Sequence, residues 1–579
     1  MHASGPRLSA RLNYQPRELR FGTSGRRGEV IHLTQLEAYI NVCAELEYLQ
    51  SLPRSEGGIR AGDEFYFAYD LRPSSTRFVP SEKGRGEICQ AVVQAVLDRG
   101  MDPVNLGCIP TPALAYYALS RERASIMVTG SHIPFDRNGY KLNTAQGELL
   151  KQHESPIAEF VQRVRTTLYD QAYADSPFDE SGMFKAGHRE LPPQRDDARN
   201  AYFRRYTDFF EALALTGKRI VVYQHSAVAR DFLVEILTAF GAEPVPVGRS
   251  ETFVPIDTEN IDAAQLAVIE NHVRDVMRAY GPVWAAVSAD GDSDRPLVLG
   301  VDPEGTVRFF GGDLVGMVVA EFLGADAVVV PISCNDAIDR GRLRHALEPK
   351  TKIGSPYVIE GLERARLRGG KTVCGWEANG GFLTGSDIAR NGRILSRLAT
   401  RDAVLPILGA LFAAQEADCS LTERFARLPP RYSRAALLKN FPLPVSRQIV
   451  KRFSPGVADL QEGNFRPELR VVDTHGRDMG LPAGVVSRLN QIKEELQQFF
   501  PAAAGFGEIA RLNFLDGVRI IFSNGEVAHV RPSGNADELR IYAVADTQER
   551  ANGIAAMSVA EPGGILRSME NHVRATMPV

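Results

Sequence analysis

Four times along the chain a short apolar run breaks into a loop rich in glycine, serine, aspartate or asparagine. The stretches are SIMVTGSH at 125–132, VWAAVSADGDSDR at 283–295, KTVCGWEANGG at 371–381 and VAHVRPSGN at 527–535. Short β-rich runs that end in such residues read as strands entering loops. Helical patterns lie between them. GEICQAVVQAVLDRG at 86–100 repeats its apolar residues near a 3.6 period and stops at glycine, and 227–248 reads as helix, glycine stop, then strand. A chain that alternates in this way builds α/β domains, and each sheet offers a loop at the carboxyl ends of its strands, where ligands collect in such folds. Four loops from four segments are expected to line one cleft.

The 579 residues are enough for several domains of about 100–200 residues each. Boundaries are expected at 175–200, a polar stretch with a Pro-Pro pair and no period, and at 426–434. A net charge of −4 gives no global field that would draw nucleic acid or an anionic membrane. The six cysteines are scattered without a C-x-x-C pair, which suits reduced thiols in a cytoplasmic protein better than a disulfide framework. The first twenty residues lack the apolar core of a secretory signal. The longest apolar stretch, 403–414, contains a proline and is too short to span a bilayer.

Chemistry concentrates in the loops. In 290–295, DGDSDR, alternate positions carry Asp290, Asp292 and Asp294, which in an extended segment would face one side. Three carboxylates held together repel unless a cation joins them, and hard oxygen ligands suit Mg²⁺ or Ca²⁺. The EF-hand pattern fails, because its positions six and twelve hold Arg295 and Val301. A solvated acidic turn is the plainer alternative. Arg531, Ser533, Gly534 and Asn535, with Arg540 beyond, form an anion-friendly stretch, although Pro-Ser-Gly is also ordinary turn chemistry. Glu377 in its glycine-rich loop suits either sugar hydroxyls or an exposed turn, and Trp376 suits a sugar face or the core. Arg26 and Arg27 in FGTSGRRGEV make either an anion loop or a charged turn. Ser131 stands at a strand tip, with Lys141 ten residues on. A serine there can store a phosphoryl group, and a lysine can shuttle a proton. His132 beside it is a candidate base, but a loop-holding hydrogen bond suits it better. No G-x-S-x-G elbow of a serine hydrolase is present.

In order, these loops resemble the α-D-phosphohexomutase family, whose motifs run F-G-T-x-G-x-R-G, T-A-S-H-N-P…N-G-x-K, D-G-D-x-D-R, G-E-x-S-G and R-P-S-G-T. Smaller matches are YDLRPSSTRF at 69–78, LGCIPTPALAYYA at 106–118 and KIGSPYVIEGL at 352–362. The resemblance implies three related mixed α/β domains and a smaller C-terminal α+β domain around a central cleft. The expected bounds are 1–170 (phosphoserine loop), 198–310 (metal loop), 311–426 (sugar loop) and 430–579 (phosphate loop). Extra length is expected around 170–200 and 450–510.

The implied activity is an isomerase's: interconversion of hexose 6-phosphate and hexose 1-phosphate, of the phosphomannomutase/phosphoglucomutase kind, with phosphoglucosamine mutase as the alternative. By resemblance, Ser131 is the phosphoserine and, with Asp290, Asp292 and Asp294, a ligand of one Mg²⁺ per active site. Arg27 and Arg295 would steady the moving phosphoryl group, with His132 beside the serine, and Lys141 would be the general acid/base. Glu377 and Asn379 would meet sugar hydroxyls, with Gly354 and Ser355 in a further sugar loop. Arg531, Ser533, Gly534, Asn535 and Arg540 would hold the phosphate that does not react. Hexose 1,6-bisphosphate is implied as intermediate and activator. A hexose phosphate is the expected partner, with no nucleic acid and no membrane, on a monomer or homodimer. A metal-dependent sugar-phosphate phosphatase would need neither Lys141 nor a second phosphate loop, and a silent binder would not need Ser131, Lys141 and all three aspartates.

The chain departs from the family pattern at Gly130 (usually Ala), Ile133 (Asn), Asn379 (Ser), Gly381 (often His), Asn535 (Thr) and Ala536 (Glu). The last four lie in loops that choose and orient the sugar, so they bear on the substrate more than on the reaction.

Overall fold

Ser125–Val128 is buried at every position, as a strand covered on both faces must be. In the computed structural model, which describes residues 5–22, 24–259, 261–457, 459–473, 476–480, 482–533 and 537–575, it lies inside a six-stranded sheet. Glu64–Tyr69 runs parallel to it and to Asp102–Asn105, while Arg137–Thr144 pairs antiparallel with Met127 opposite Lys141. Arg26–Glu29 closes the order antiparallel to Arg137–Thr144. The Asn138-Gly139 pair is required by this contact: a Cβ on Gly139 would meet the Arg26 carbonyl oxygen at 1.9 Å. The expected helix at 86–100 forms as Ile88–Asp98, with its apolar face in the core beside the helix Gln35–Ser51.

The chain divides into two compact units, Met1–Gly312 with Asn379–Thr422, and Asp313–Ala378 with Glu423–Val579. The first also holds a five-stranded sheet. Glu243–Arg249, Arg219–His225 and Ala285–Ala289 run parallel there, and Pro296–Val301 and Val307–Phe309 continue antiparallel. The helix Arg230–Ala239 and the strand at 243 form where the pattern places them, divided by Gly241 at φ +83°.

The second unit contains two fold types. Ala327–Val329 and Val373–Trp376 pair in parallel, with the helix Ser355–Leu367 between them in sequence. A seven-stranded antiparallel sheet follows, built from strands between Tyr432 and Ala545. Ile449, Ile492, Leu496, Ile554 and Leu566 from its helices join Leu512, Ile520 and Ile541 from its strands in one core. Mixed α/β domains with a C-terminal α+β element are thus the fold class.

Three local readings are sharpened or changed. The stretch 175–200, where a boundary was expected, is anchored to the first unit. Phe178 and Phe184 stack at 4.7 Å and set their edges on Tyr39, so the segment is pinned by three aromatic rings. Its lack of period hid this, because two anchors at irregular spacing carry no periodic signal. The aspartate loop is a tight turn, with Ser293 at φ +58°, between the antiparallel strands Ala285–Ala289 and Pro296–Val301. Its carboxylates meet by turning rather than by alternating along an extended strand. Trp376 is core: it is 1% exposed, and a Cβ on Gly316 would come within 2.3 Å of its indole.

Candidate active site

Ser131 follows the strand Ser125–Val128 and takes φ +54°, a backbone region costly for a residue with a side chain. Its surroundings hold it there. The Ser131 N–H donates to Thr129 Oγ1 at 2.7 Å, and Thr129 donates to Asp70 Oδ2 at 2.8 Å. The guanidinium of Arg72, fully buried, donates to the carbonyls of Ser131, Ile133, Pro134 and Arg137 at 2.9, 2.5, 2.7 and 2.7 Å. One side chain therefore fixes the whole loop from behind, with its own far face on the Phe253 ring at 3.8 Å. This explains Gly130: a Cβ there would meet the Arg72 guanidinium at 2.6 Å.

The serine hydroxyl meets the aspartate turn. Ser131 Oγ donates to Asp290 Oδ2 at 2.8 Å, while His132 Nδ1 lies farther off, at 3.4 Å. The Asp290 Oδ1 atom accepts the N–H groups of Asp294 and Arg295 at 3.1 and 3.2 Å, so the turn folds around its first carboxylate. Lys141 Nζ donates to Asp292 Oδ2 and to Asp294 Oδ2, each at 2.6 Å. Thr111 Oγ1 adds a bond to Asp292 Oδ2 at 2.6 Å, and Arg401 reaches Asp294 Oδ2 through Nε at 3.1 Å and Nη2 at 2.9 Å. Arg295 Nε stands 3.6 Å from Asp294 Oδ1. The direct partners of Lys141 are thus two carboxylates.

The electrostatics follow from burial. All three aspartates are at most 1% exposed. Burial and then the two neighbouring carboxylates push Asp290 up to about 8. Burial also disfavours the charged form of Asp292, but Lys141 and the hydroxyl donors outweigh it and hold that carboxyl below its ordinary range. Burial lowers Arg27 to about 10, with Arg401 and Arg295 adding like charge and Asp292 opposing.

These residues fit a divalent cation. The candidate ligand atoms of Asp290, Asp292 and Asp294 all lie within 4.8 Å of one another. Asp292 Oδ1 and Asp294 Oδ1 are buried with no hydrogen-bond partner. Unsatisfied anionic oxygens in a protein interior are costly, and a hard cation is the partner that suits them.

The second unit carries the other predicted residues. Arg531 and Arg540 are direct cross-strand partners, a like-charge pairing that is unfavourable by itself. Arg531 Nε donates to Asp516 Oδ1 at 3.0 Å, and Arg540 Nη2 donates to Glu538 Oε2 at 3.1 Å. Asp516 Oδ2 also accepts the N–H of Ile353 at 3.0 Å, which ties Arg531 to the loop of Gly354 and Ser355. Gly354 adopts φ +128°, and the buried Ser355 opens the helix behind it. Ser533 is buried, with its N–H on the Glu538 carbonyl at 3.0 Å. Glu377 is buried in this unit; Asn379 belongs to the first, where its Oδ1 accepts the Gly381 N–H at 3.0 Å. Gly534 and Asn535, and the departure at Ala536, lie outside the described residues.

The structure thus gathers Ser131, His132, Lys141, Arg27, Arg295 and the three aspartates within the first unit, and Gly354, Ser355, Arg531 and Arg540 within the second. Sequence reasoning missed Arg72, Thr111 and Arg401. The first two sit inside 69–78 and 106–118, stretches already matched to a family pattern, so a signal existed without a role. Arg401 had none.

A buried serine beside clustered carboxylates and cations, on an α/β scaffold with a separate arginine loop, defines a phosphoryl-transfer enzyme. Comparisons with known proteins agree. Family models match residues 18–167 (phosphoglucomutase/phosphomannomutase, alpha/beta/alpha domain I), 311–432 (alpha/beta/alpha domain III) and 485–561 (C-terminal domain). A phosphomannomutase of Sinorhizobium fredii is 34% identical over 93% of this chain and 98% of its own, and one of Salmonella muenchen is 34% identical over 93% and 94%. The solved structure of a phosphoglucomutase/phosphomannomutase family protein from Burkholderia thailandensis shares the fold at a TM-score of 0.58 and 16% identity, covering 97% of this chain and 99% of that one. The chain belongs to the phosphoglucomutase/phosphomannomutase family. It is a phosphohexomutase, an isomerase.

Proposed function

We propose that this phosphohexomutase moves a phosphoryl group between O6 and O1 of mannose or glucose phosphate, with Ser131 as the group that lends and recovers it. The observation that carries the reading is the hydrogen bond from Ser131 Oγ to Asp290, within the cluster that also holds Lys141, Asp292 and Asp294.

In the forward half-reaction a sugar hydroxyl attacks the phosphorus on Ser131. The new O–P bond forms as the bond from phosphorus to Ser131 Oγ breaks, and the hydroxyl proton passes to Lys141 Nζ, which takes part in this step as the neutral amine. The product is a hexose 1,6-bisphosphate. After the sugar turns, Ser131 Oγ attacks the other phosphate, and the released sugar oxygen takes its proton from Lys141. Phosphoryl transfer of this kind depends mainly on positioning and charge stabilisation. Arg27 and Arg295 would serve the phosphoryl oxygens. Arg72 keeps Ser131 in its strained backbone state from behind. Asp290, Asp292 and Asp294 would hold Mg²⁺, which when bound supplies positive charge against the transferring group. Arg531 and Arg540, with Ser533, Gly534 and Asn535, would take the phosphate that does not react, and Glu377, Asn379, Gly354 and Ser355 the sugar hydroxyls.

Mannose is the preferred sugar in this reading. The relatives named phosphomannomutase match over 93% of the chain, whereas one named phosphoglucosamine mutase, from Acidovorax sp., is 30% identical over 57% of it. The test is a coupled assay with mannose, glucose and glucosamine phosphates, together with peptide mass spectrometry of active protein. Turnover of mannose or glucose phosphate with phosphate on Ser131 is expected. Turnover of glucosamine phosphate alone, or a Ser131 peptide that never carries phosphate, refutes the reading.

A further inference from the structure

Arg401 lies next to last in the strand Leu398–Asp402, 107 residues from Asp294 in sequence, yet both its Nε and its Nη2 meet one oxygen of that carboxylate. It is 4% exposed. A guanidinium that holds Oδ2 from two nitrogens restrains where that oxygen lies, and the other oxygen, Oδ1, is left buried within the aspartate cluster with no hydrogen-bond partner. Burying a long cation costs free energy unless its geometry is specified, and a two-point contact of this kind specifies it.

The path of the side chain depends on Gly381. A Cβ at that position would lie 2.5 Å from Arg401 Cδ, 2.6 Å from Cγ and 2.9 Å from Cβ. Contacts this short at three consecutive carbons cannot be relieved by moving the tip of a flexible chain. Any larger residue at 381 displaces the stem of Arg401, and so its head. Gly381 is itself held by its N–H to Asn379 Oδ1, and the Asn379 carbonyl accepts from Thr258 Oγ1 at 2.8 Å. The space a side chain at 381 would occupy is filled by the stem of Arg401 from the neighbouring strand.

We propose that Arg401 is a positioning residue for the metal-binding carboxylates, acting through Asp294, and that glycine at 381 is what admits it. This rests on the reading of Asp290, Asp292 and Asp294 as the cation site. It assigns to this chain a residue outside the five loop motifs. It also means that no side chain can be placed at 381 without displacing Arg401.

The test is Mg²⁺ affinity of the full chain by calorimetric titration, read beside the melting temperature and the KM and kcat for hexose phosphate. Arg401→Ala is expected to weaken Mg²⁺ binding about 10- to 100-fold, the usual effect of removing a side chain that orients a ligand. KM for the sugar phosphate should stay within about twofold. Arg401→Lys, which restores charge and one contact, should recover part of the affinity. Gly381→Ala should weaken Mg²⁺ in the same direction, and Gly381→Ala with Arg401→Ala should bind no more weakly than Arg401→Ala alone. Affinity unchanged in Arg401→Ala, with only the melting temperature lowered, would leave Arg401 a mere packing residue. Tighter binding in Arg401→Ala would mean that the arginine competes with the cation, and overturns the proposal as well. If the unaltered protein itself binds no Mg²⁺, the reading of the aspartate turn falls and the role of Arg401 falls with it; binding by the unaltered protein with no effect of Arg401→Ala removes only the latter.

Discussion

The two arginine-bearing regions of this molecule are built in opposite ways. In the first unit, Lys141, Arg27, Arg295 and Arg401 surround three buried carboxylates, and Asp292 Oδ2 and Asp294 Oδ2 each accept from more than one side chain while their Oδ1 atoms stay without a hydrogen-bond partner. Ser131 is fixed through its backbone by Thr129 and Arg72 and through its hydroxyl by Asp290. In the second, Arg531 donates to Asp516 and Arg540 pairs with Glu538. The first arrangement restrains the reacting hydroxyl and the carboxylates through several short contacts, as bond-making chemistry needs. The second, in the proposed function, sets out charge for a phosphate dianion on two arginines that each meet a carboxylate. Changes in the first should therefore lower kcat, and changes in the second should first raise KM.

Ser131→Ala should have the largest effect, a loss of about 10³-fold or more in turnover, because no other hydroxyl shares its position. Full activity would break the contrast at its root. Next is Lys141→Arg, which keeps a cation beside Asp292 and Asp294 but cannot exchange a proton near neutral pH. We expect about 10²-fold lower kcat with KM little changed. Wild-type turnover across the pH range would reduce Lys141 to a point charge.

Arg531→Ala should cost about 1.5–3 kcal/mol in kcat/KM, the range for a lost charge-assisted contact. Most should appear in KM, with a smaller fall in kcat. A pure kcat effect would erase the difference between the two regions. Asp516→Asn should act most weakly. It removes the negative charge beside Arg531, and its single amide oxygen can accept from only one of Arg531 Nε and the Ile353 N–H, so about 0.5–1.5 kcal/mol is expected, seen as a modest change in KM. A loss equal to that of Arg531→Ala would sharpen the comparison by showing that the arginine works only when held.

Much of this was legible in the residues. The strand-to-loop breaks, the helix at Ile88–Asp98 and the helix–glycine–strand unit at Arg230–Arg249 follow from local pattern, because period and stop residues act within a few positions. Ser131, Lys141 and the three aspartates could be named because each lies in a short motif whose residue types state their chemistry. The segment 175–200 could not be read: Phe178 and Phe184 reach Tyr39, more than a hundred residues away, and nothing in their surroundings announces a partner.

What the sequence alone determined is the inventory: an α/β chain, five chemical loops in order, and the reaction class these imply. Tertiary structure decided which groups meet. It turned the aspartates toward one another around Ser293 rather than along an extended strand, set Lys141 on two of them, put Arg72 behind the serine loop and threaded Arg401 past Gly381 to Asp294. Those contacts join residues tens to hundreds of positions apart and depend on strand register and on the absence of single Cβ atoms, which no local pattern records.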